Sequence, residues 1–92
     1  MDIEWHDSKA ASNLEKHGVS FDEAASVFMD PRARTIFDEV HSDFEDRFLT
    51  LGFSDRGSML IVWHTDRGST IRIIGARKAE KHETNGFTQM ND

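Results

Sequence analysis

The sequence contains no cysteine and no long apolar run, and these absences exclude several classes of protein. Without cysteine the chain forms neither disulfides nor thiolate metal sites, which fits a reducing compartment. No apolar stretch approaches the length of a membrane span or a signal-peptide core, so we expect a soluble, cytoplasmic protein with no membrane attachment. The histidines show no metal-ligand spacing, and we expect no metal and no cofactor.

The chain also lacks a linker and a low-complexity tract, so we expect residues 1–92 to form one domain. A chain of this length buries only about two-thirds of its unfolded surface. Its 37% hydrophobic residues, with seven Phe and two Trp, are enough for one layer of helices on one sheet.

Positive charge is scarce in the first half of the chain. Residues 1–46 hold four Lys/Arg and twelve Asp/Glu (−8), and residues 47–92 hold seven and five (+2), which sum to the net charge of −6. This balance argues against a general nucleic-acid coat, so a polyanion would have to bind a local patch in the second half.

The first half predicts a short strand, two helices and a second strand. One helix begins at Asp7 or Ser8 and ends at Gly18, and another begins at a capping box formed by Ser20 and Glu23. Further elements are predicted at the following ranges: strands at 3–5 and 33–38, an acidic loop at 39–46 and a weak helix at 78–87.

A repeated turn organises the second half. Asp55-Arg56-Gly57-Ser58 recurs eleven positions later as Asp66-Arg67-Gly68-Ser69, which predicts a three-stranded meander. If both turns are three-residue hairpins with Gly in the left-handed position, Ser54 faces Ser58 and Thr65 faces Ser69.

This register sorts the side chains onto two faces. One face is apolar or Gly throughout, and we predict that it lies under the helices, with these rows: Leu49/Trp63/Ile71, Leu51/Ile61/Ile73 and Phe53/Met59/Gly75. The other face is mixed, with these rows: Phe48/His64/Thr70, Thr50/Val62/Arg72 and Gly52/Leu60/Ile74.

Several sequence fragments, in this order, resemble one family, the BrnT toxins. They are Trp5-His6-Asp7, Asn13-Leu14-Glu15-Lys16-His17-Gly18, Val27-Phe28, Asp30-Pro31, Glu45-Asp46-Arg47-Phe48, Leu51-Gly52, His64-Thr65, Ile71-Arg72-Ile73-Ile74 and Ala76-Arg77-Lys78-Ala79. The resemblance implies an α+β, RelE-like fold with two N-terminal helices on a mainly antiparallel four-stranded sheet and a short C-terminal helix.

The resemblance also implies a function and partners. It implies a ribonuclease toxin of a type II toxin–antitoxin system, neutralised by a BrnA-like ribbon-helix-helix antitoxin in a hetero-oligomer. Operator DNA would then be bound only through the antitoxin. An alternative function is a non-catalytic interaction module, or co-repressor, that stabilises a DNA-binding partner. Direct DNA binding ranks low, because no predicted helix carries a basic face.

Metal-free RNA cleavage requires a base, a cation for the phosphorane charge and an acid. Arg72 is the first candidate for phosphate, predicted beside Thr50 and diagonal to His64. Arg77 would fall on the core side by strict alternation, so we predict a bulge at Gly75 that turns it toward Arg72.

Other residues have two interpretations each. His64 is a candidate acid or base, although a histidine in a strand is more often structural, and Glu45 is the alternative base. The predicted RNA contacts are Arg47, Lys78 and Arg67; a salt bridge of Arg47 to Glu45, or plain solvation of the other two cations, is the simpler explanation.

Overall fold

The computed structural model describes residues 1–90, with the side chains of residues 1–86, as one five-stranded sheet and three helices. The strands are β1 Asp2–Glu4, β2 Arg34–Phe37, β3 Arg47–Phe53, β4 Met59–Arg67 and β5 Thr70–Lys78. The helices are α1 Asp7–His17, α2 Phe21–Ser26, which continues into a 3₁₀ turn at Val27–Met29, and α3 Lys81–Met90.

The strand order is β1-β5-β4-β3-β2, antiparallel except for the parallel pairing of β1 with β5. The predicted α+β class with three helices is confirmed. The four strands implied by the family resemblance become five, because β1, at the strand predicted for residues 3–5, joins the sheet by pairing with the distant β5. No helix within residues 1–90 is long and apolar enough to cross a bilayer.

The helix ends follow the local sequence signals. Gly18 ends α1 with φ at 70°, and its N–H donates to the carbonyl of Leu14. Ser20 caps α2 by accepting a hydrogen bond from the Glu23 N–H, as the capping box predicts. The Glu23 carboxylate accepts a hydrogen bond from the Ser54 hydroxyl, so it ties α2 to the first hairpin turn.

The core lies between the helices and one face of the sheet. Fully buried side chains from α1–α2 and the sheet form it: Val19, Phe21, Ala24, Val27, Leu60, Val62, Ile73 and Ala76. Burial of each large aliphatic side chain contributes about 1.5–3 kcal/mol. We call the sheet face of Leu60, Val62 and His64 the helix-covered face.

The opposite face of the sheet carries Ile61, Trp63 and Thr65, and we call it the distal face. The prediction that this apolar face lies under the helices is wrong. The mixed face is covered instead, because its buried polar groups satisfy one another in a chain of hydrogen bonds through Thr50 and His64.

The first hairpin has the predicted register and the second does not. Phe53 pairs with Met59 across the three-residue loop, and every predicted β3–β4 pair is confirmed. In the second hairpin Arg67 pairs with Thr70, so the loop contains only Gly68 and Ser69. Gly68 has φ at 62°, as the first position of a type II′ turn requires.

The corrected β4–β5 register moves every residue of β5. Ile73 pairs with His64 and is buried under the helices, whereas Arg72 pairs with Thr65 on the distal face. The predicted position of Arg72 beside Thr50, diagonal to His64, is therefore wrong. A register that placed Arg72 next to Val62 would bury its charge in the core without a partner, which is costly.

A bulge in β5 then changes the face of the residues that follow it. The pairing jumps from Ile73–His64 to Gly75–Trp63, so Ile74 has no partner in β4. As a result Arg77, which pairs with Ile61, lies on the same face as Arg72. The predicted bulge is confirmed, one position earlier than Gly75.

Candidate functional site

A row of polar residues crosses the distal face of the sheet. Arg47 on β3 pairs with Thr65 on β4, which pairs with Arg72 on β5, which in turn pairs with Glu4 on β1. Neighbouring strands lie about 4.8 Å apart. The two arginines therefore flank the central strand on one face of the sheet, one on each adjoining strand.

The two arginines of the row are in different electrostatic states. Arg72 donates from Nε to a carboxylate oxygen of Glu4 at 2.9 Å, and about a third of its side chain is exposed. The Arg47 guanidinium has no partner among the described side chains, although its backbone N–H donates to the hydroxyl of Ser42. An arginine without a carboxylate is the better placed of the two to receive an anion.

A pocket of about 360 Å³ opens beside Arg47. It is lined by His41, Asp43, Phe44, Glu45 and Arg47, so the acidic loop and the first residue of β3 form its walls. The Phe44 ring is fully exposed. Glu45 accepts a hydrogen bond from the Arg67 guanidinium at 3.2 Å, and this surface pair replaces the Glu45–Arg47 pair that we considered.

Arg77 is engaged by the start of α3. Its guanidinium makes a bidentate interaction with the Glu83 carboxylate, with both distances 2.9 Å, and stacks 5.4 Å from the centre of the Trp63 ring. These contacts tie α3 to the distal face. Arg77 and Arg72 share that face, but four residues of strand, about 13 Å, separate their rows.

The hydrogen bonds from Arg77 lower the pKa of Glu83 from 4.5 to about 2. A carboxyl group whose pKa is depressed on folding stabilises the fold above its unfolded pKa, and this contribution is lost as the pH falls toward 2. We therefore expect Glu83→Gln to lower the free energy of unfolding by about 1–2 kcal/mol at pH 7 and by much less at pH 2.5.

Thermal unfolding of both proteins at the two pH values measures this difference. Glu80→Gln is the control, because that side chain is more than two-thirds exposed. An equal difference between wild type and Glu83→Gln at both pH values would show that the ion pair does not hold α3.

His64 lies on the helix-covered face, away from the row. It is 1% exposed and packs between the rings of Phe28 and Phe48. Burial lowers its pKa, and the hydrogen bond to Asp66 offsets part of that effect. With a neutral ring, Nδ1 donates to Asp66 and Nε2 accepts from the Thr50 hydroxyl, each at 2.7 Å. The predicted grouping of His64 with Arg72 on one face is therefore wrong.

The remaining predicted cations lie at the margins. Lys78 is exposed and pairs with Leu60, so it projects at the end of β5 on the side opposite to Arg77. Arg67 lies at the second hairpin, more than half exposed. Within residues 1–90, no group of three or more His, Asp or Glu side chains is arranged to hold a metal ion.

Sequence reasoning missed three residues that the structure brings to this face: Glu4, Thr65 and Glu83. Glu4 reaches Arg72 through the parallel pairing of β1, for which the sequence gives no local signal. Thr65 had a signal, because it occupies the same position before the second turn that Ser54 occupies before the first.

Comparison with known proteins adds a family to this geometry. The chain matches, over residues 5–83, the family model described as ribonuclease toxin, BrnT, of type II toxin–antitoxin system. Among solved structures it is similar to the 1.1 Å crystal structure of the Brucella abortus ribonuclease toxin BrnT, with 21% identity and a TM-score of 0.69. That match covers 88% of this chain and 99% of the other, and it shows a shared fold. No match was found among curated proteins.

Proposed function

The chain belongs to the BrnT family of ribonuclease toxins of type II toxin–antitoxin systems, and we propose that it cleaves RNA on the distal face without a metal ion. The observation that carries the proposal is the row in which Arg47 and Arg72 flank one position of the central strand. Two guanidinium groups so placed match the oxygens of one phosphate. We also propose that residues 1–92 form a single toxin domain of RelE type.

The proposed reaction is attack of the ribose 2′-hydroxyl on the adjacent phosphate. This forms a 2′,3′-cyclic phosphate and breaks the P–O5′ bond, and the leaving 5′-oxygen takes a proton from water. Arg72 and Arg47 hold the phosphate and stabilise the charge that develops on it. Glu45 is the proposed base, since it lies on the loop beside Arg47 and its partner Arg67 is an exposed surface cation. Glu4 orients Arg72 through the bond to Nε.

The remaining predicted site residues take other roles in this proposal. Arg67 contacts RNA on the distal face outside the row, and Lys78 contacts it beyond the end of β5; both side chains are exposed. Arg77 acts indirectly by holding α3 against Trp63. His64 supports the sheet from the covered face, because both ring nitrogens already have partners.

The proposed partner is a BrnA-like ribbon-helix-helix antitoxin, which would be the only link to operator DNA. Supporting this, β2 is an edge strand, and large apolar side chains are exposed on it and on the following loop: Ile36, Phe37, Val40 and Phe44. Exposed apolar clusters of this kind mark interaction sites. Residues 38–46 hold five Asp/Glu and no Lys/Arg, which favours a basic segment of the partner.

A second candidate function is a non-catalytic interaction module. One observation favours it: Arg72 and Arg77 already have carboxylate partners, Glu4 and Glu83, within the chain. In that case the distal face would serve only to bind the antitoxin.

RNA cleavage by the purified chain in EDTA separates the two functions. We expect a short single-stranded RNA to be cut at the same rate with and without EDTA, leaving 2′,3′-cyclic phosphate ends. We expect no cut where the scissile nucleotide carries a 2′-deoxy group, because the nucleophile is then missing. Gel electrophoresis and mass spectrometry of the products measure both results.

Co-expression tests the partner. Expression of the chain alone should arrest growth and deplete RNA, and a BrnA-like antitoxin should restore both and co-purify with the chain. Cleavage that requires a divalent ion would contradict the metal-free mechanism. Stable binding of the antitoxin by a chain that leaves RNA intact would support the interaction module instead.

A further inference from the structure

The hydroxyl of Thr65 is buried without a hydrogen-bond partner. Thr65 is 1% exposed, and among the described side chains its Oγ1 is the buried polar atom that lacks a partner. An unsatisfied buried hydroxyl costs about 1–3 kcal/mol, so its presence calls for an explanation.

The neighbours of this hydroxyl on both adjoining strands are cationic. Arg47 and Arg72 are the direct neighbours of Thr65 on the two adjoining strands. Arg47 has no side-chain partner among the described residues, and Arg72 uses only its Nε, toward Glu4. The Thr65 hydroxyl and two guanidinium groups are thus neighbours on the distal face. Among the described residues, the Glu4 carboxylate is the one acceptor that bonds to any of them.

The first copy of the repeated turn shows that a hydroxyl at this position can find hydrogen-bond partners. Ser54 precedes the first turn as Thr65 precedes the second. The Ser54 hydroxyl accepts from the N–H groups of Arg56 and Ser58 and donates to Glu23. In the second hairpin β4 continues past Thr65 to Arg67 before a shorter loop begins. Thr65 therefore lies within the strand and pairs with Arg72 instead of bordering the turn.

We propose that Thr65, Arg47 and Arg72 form a phosphate subsite, in which the Thr65 hydroxyl donates to an oxygen of an RNA phosphodiester. The three residues are cross-strand neighbours on one face, so a phosphate above Thr65 would be within reach of two charged forks and one hydroxyl, which adds a short, directional bond. This inference rests on the proposed function, since RNA supplies the phosphate. Because the hydroxyl is buried, binding in this way requires the side chains that cover it to move aside, while the strand pairing beneath stays unchanged.

Thr65→Val tests the subsite because it keeps the shape of the side chain and removes only the hydroxyl. We expect its melting temperature to equal or exceed that of the wild type, since an unsatisfied polar group is lost. We expect its affinity for a single-stranded RNA with a 2′-deoxy scissile nucleotide, which binds without being cut, to fall about 10-fold. Fluorescence anisotropy of the labelled RNA measures the affinity.

Two further variants make the result specific. Thr65→Ser restores the hydroxyl and should bind within about threefold of the wild type. Thr70→Val removes a hydroxyl on the neighbouring strand outside the row and should also bind normally. Inorganic phosphate, titrated by calorimetry, should lose affinity for Thr65→Val in parallel with the RNA.

Each outcome decides the question. Unchanged RNA affinity in Thr65→Val would overturn the subsite, as would a lower melting temperature that Thr65→Ser does not share, because the role would then be structural. If Thr65→Val lost affinity for inorganic phosphate but kept its affinity for RNA, the residue would belong to an anion site unrelated to RNA, and the proposed subsite would also be overturned. A wild type that binds the deoxy RNA through Thr65 but never cuts RNA would refute the proposed function and keep the subsite.

Discussion

Arg72→Ala is expected to lower the rate of RNA cleavage about 100-fold, the usual cost of removing one preorganised donor from a developing oxyanion. The effect on stability should be small. Arg72 is a third exposed and its ion pair with Glu4 is at the surface, where such pairs contribute about 0–1 kcal/mol. Single-turnover cleavage of a labelled RNA, together with thermal unfolding, separates the two effects.

Two matched variants accompany this measurement. Arg56→Ala removes the same charge from the tip of the first hairpin, outside the row, and should leave the rate within about threefold. Arg72→Lys keeps the charge but loses the planar fork, and should recover only part of the rate. If Arg72→Ala cleaves as fast as Arg56→Ala, the distal row is not the cleavage site.

The sequence predicted the first hairpin and failed on the second, although both contain the same four residues. In the first, the Ser54 hydroxyl fixes the loop by accepting hydrogen bonds from the N–H groups of Arg56 and Ser58, so local chemistry determines the register. In the second, burial determines it. Only the observed register places Ile73 and Ala76 under the helices and keeps Arg72 out of the core. The turn sequence alone does not show whether hydrogen bonds in the loop or burial of the strand residues determines the register.

The hydrophobic pattern of the strands predicts the wrong face of the sheet as the buried one, for a related reason. The uniformly apolar face looked like a core, whereas the face with Thr50 and His64 looked like a site. The linked hydrogen bonds from Thr35 to Asp66 make that polar face suitable for burial. Such a network depends on side-chain geometry across three strands, which periodicity does not encode.

Arg72 and Arg77 nevertheless share a face, as the sequence predicted, because a bulge lies between them. The signal was Gly75 together with a charge that strict alternation would bury. The sequence did not predict which residues lie next to Arg72. Glu4 comes from the opposite end of the chain, 68 residues away, and Thr65 entered the row only through the shifted register.

Asn13 on α1 holds the bulged strand in place. Its side chain donates to the carbonyls of Val19 and Ala76 at 3.0 and 2.9 Å and accepts from the Ala76 N–H at 3.1 Å. β1 pairs with β5 only as far as Arg72, so within residues 1–90 no strand covers the outer edge of β5 at Ala76. The Asn13 amide takes the place of that missing strand and satisfies both backbone groups.

We therefore expect Asn13→Ala to lower the free energy of unfolding by about 3 kcal/mol, because it leaves three buried backbone groups unsatisfied. For a domain of this size the melting temperature should fall by about 15 °C. Urea unfolding and calorimetry measure these quantities. The same loss would loosen the bulge that places Arg77 on the distal face, so activity should fall together with stability.

The exposed neighbour Ser12 provides the control on the same helix, and Ser12→Ala should stay within about 0.5 kcal/mol of the wild type. Asn13→Asp refines the test, since it keeps the acceptor for the Ala76 N–H but sets a carboxylate against two carbonyl oxygens. Burial should raise the pKa of this carboxyl. Acidification then protonates it, and the new O–H group can donate to one of the two carbonyl oxygens, so the stability difference between Asn13→Asp and the wild type should become smaller at low pH. A melting temperature for Asn13→Ala equal to that of Ser12→Ala would mean that packing alone, without the amide, fixes β5 against α1.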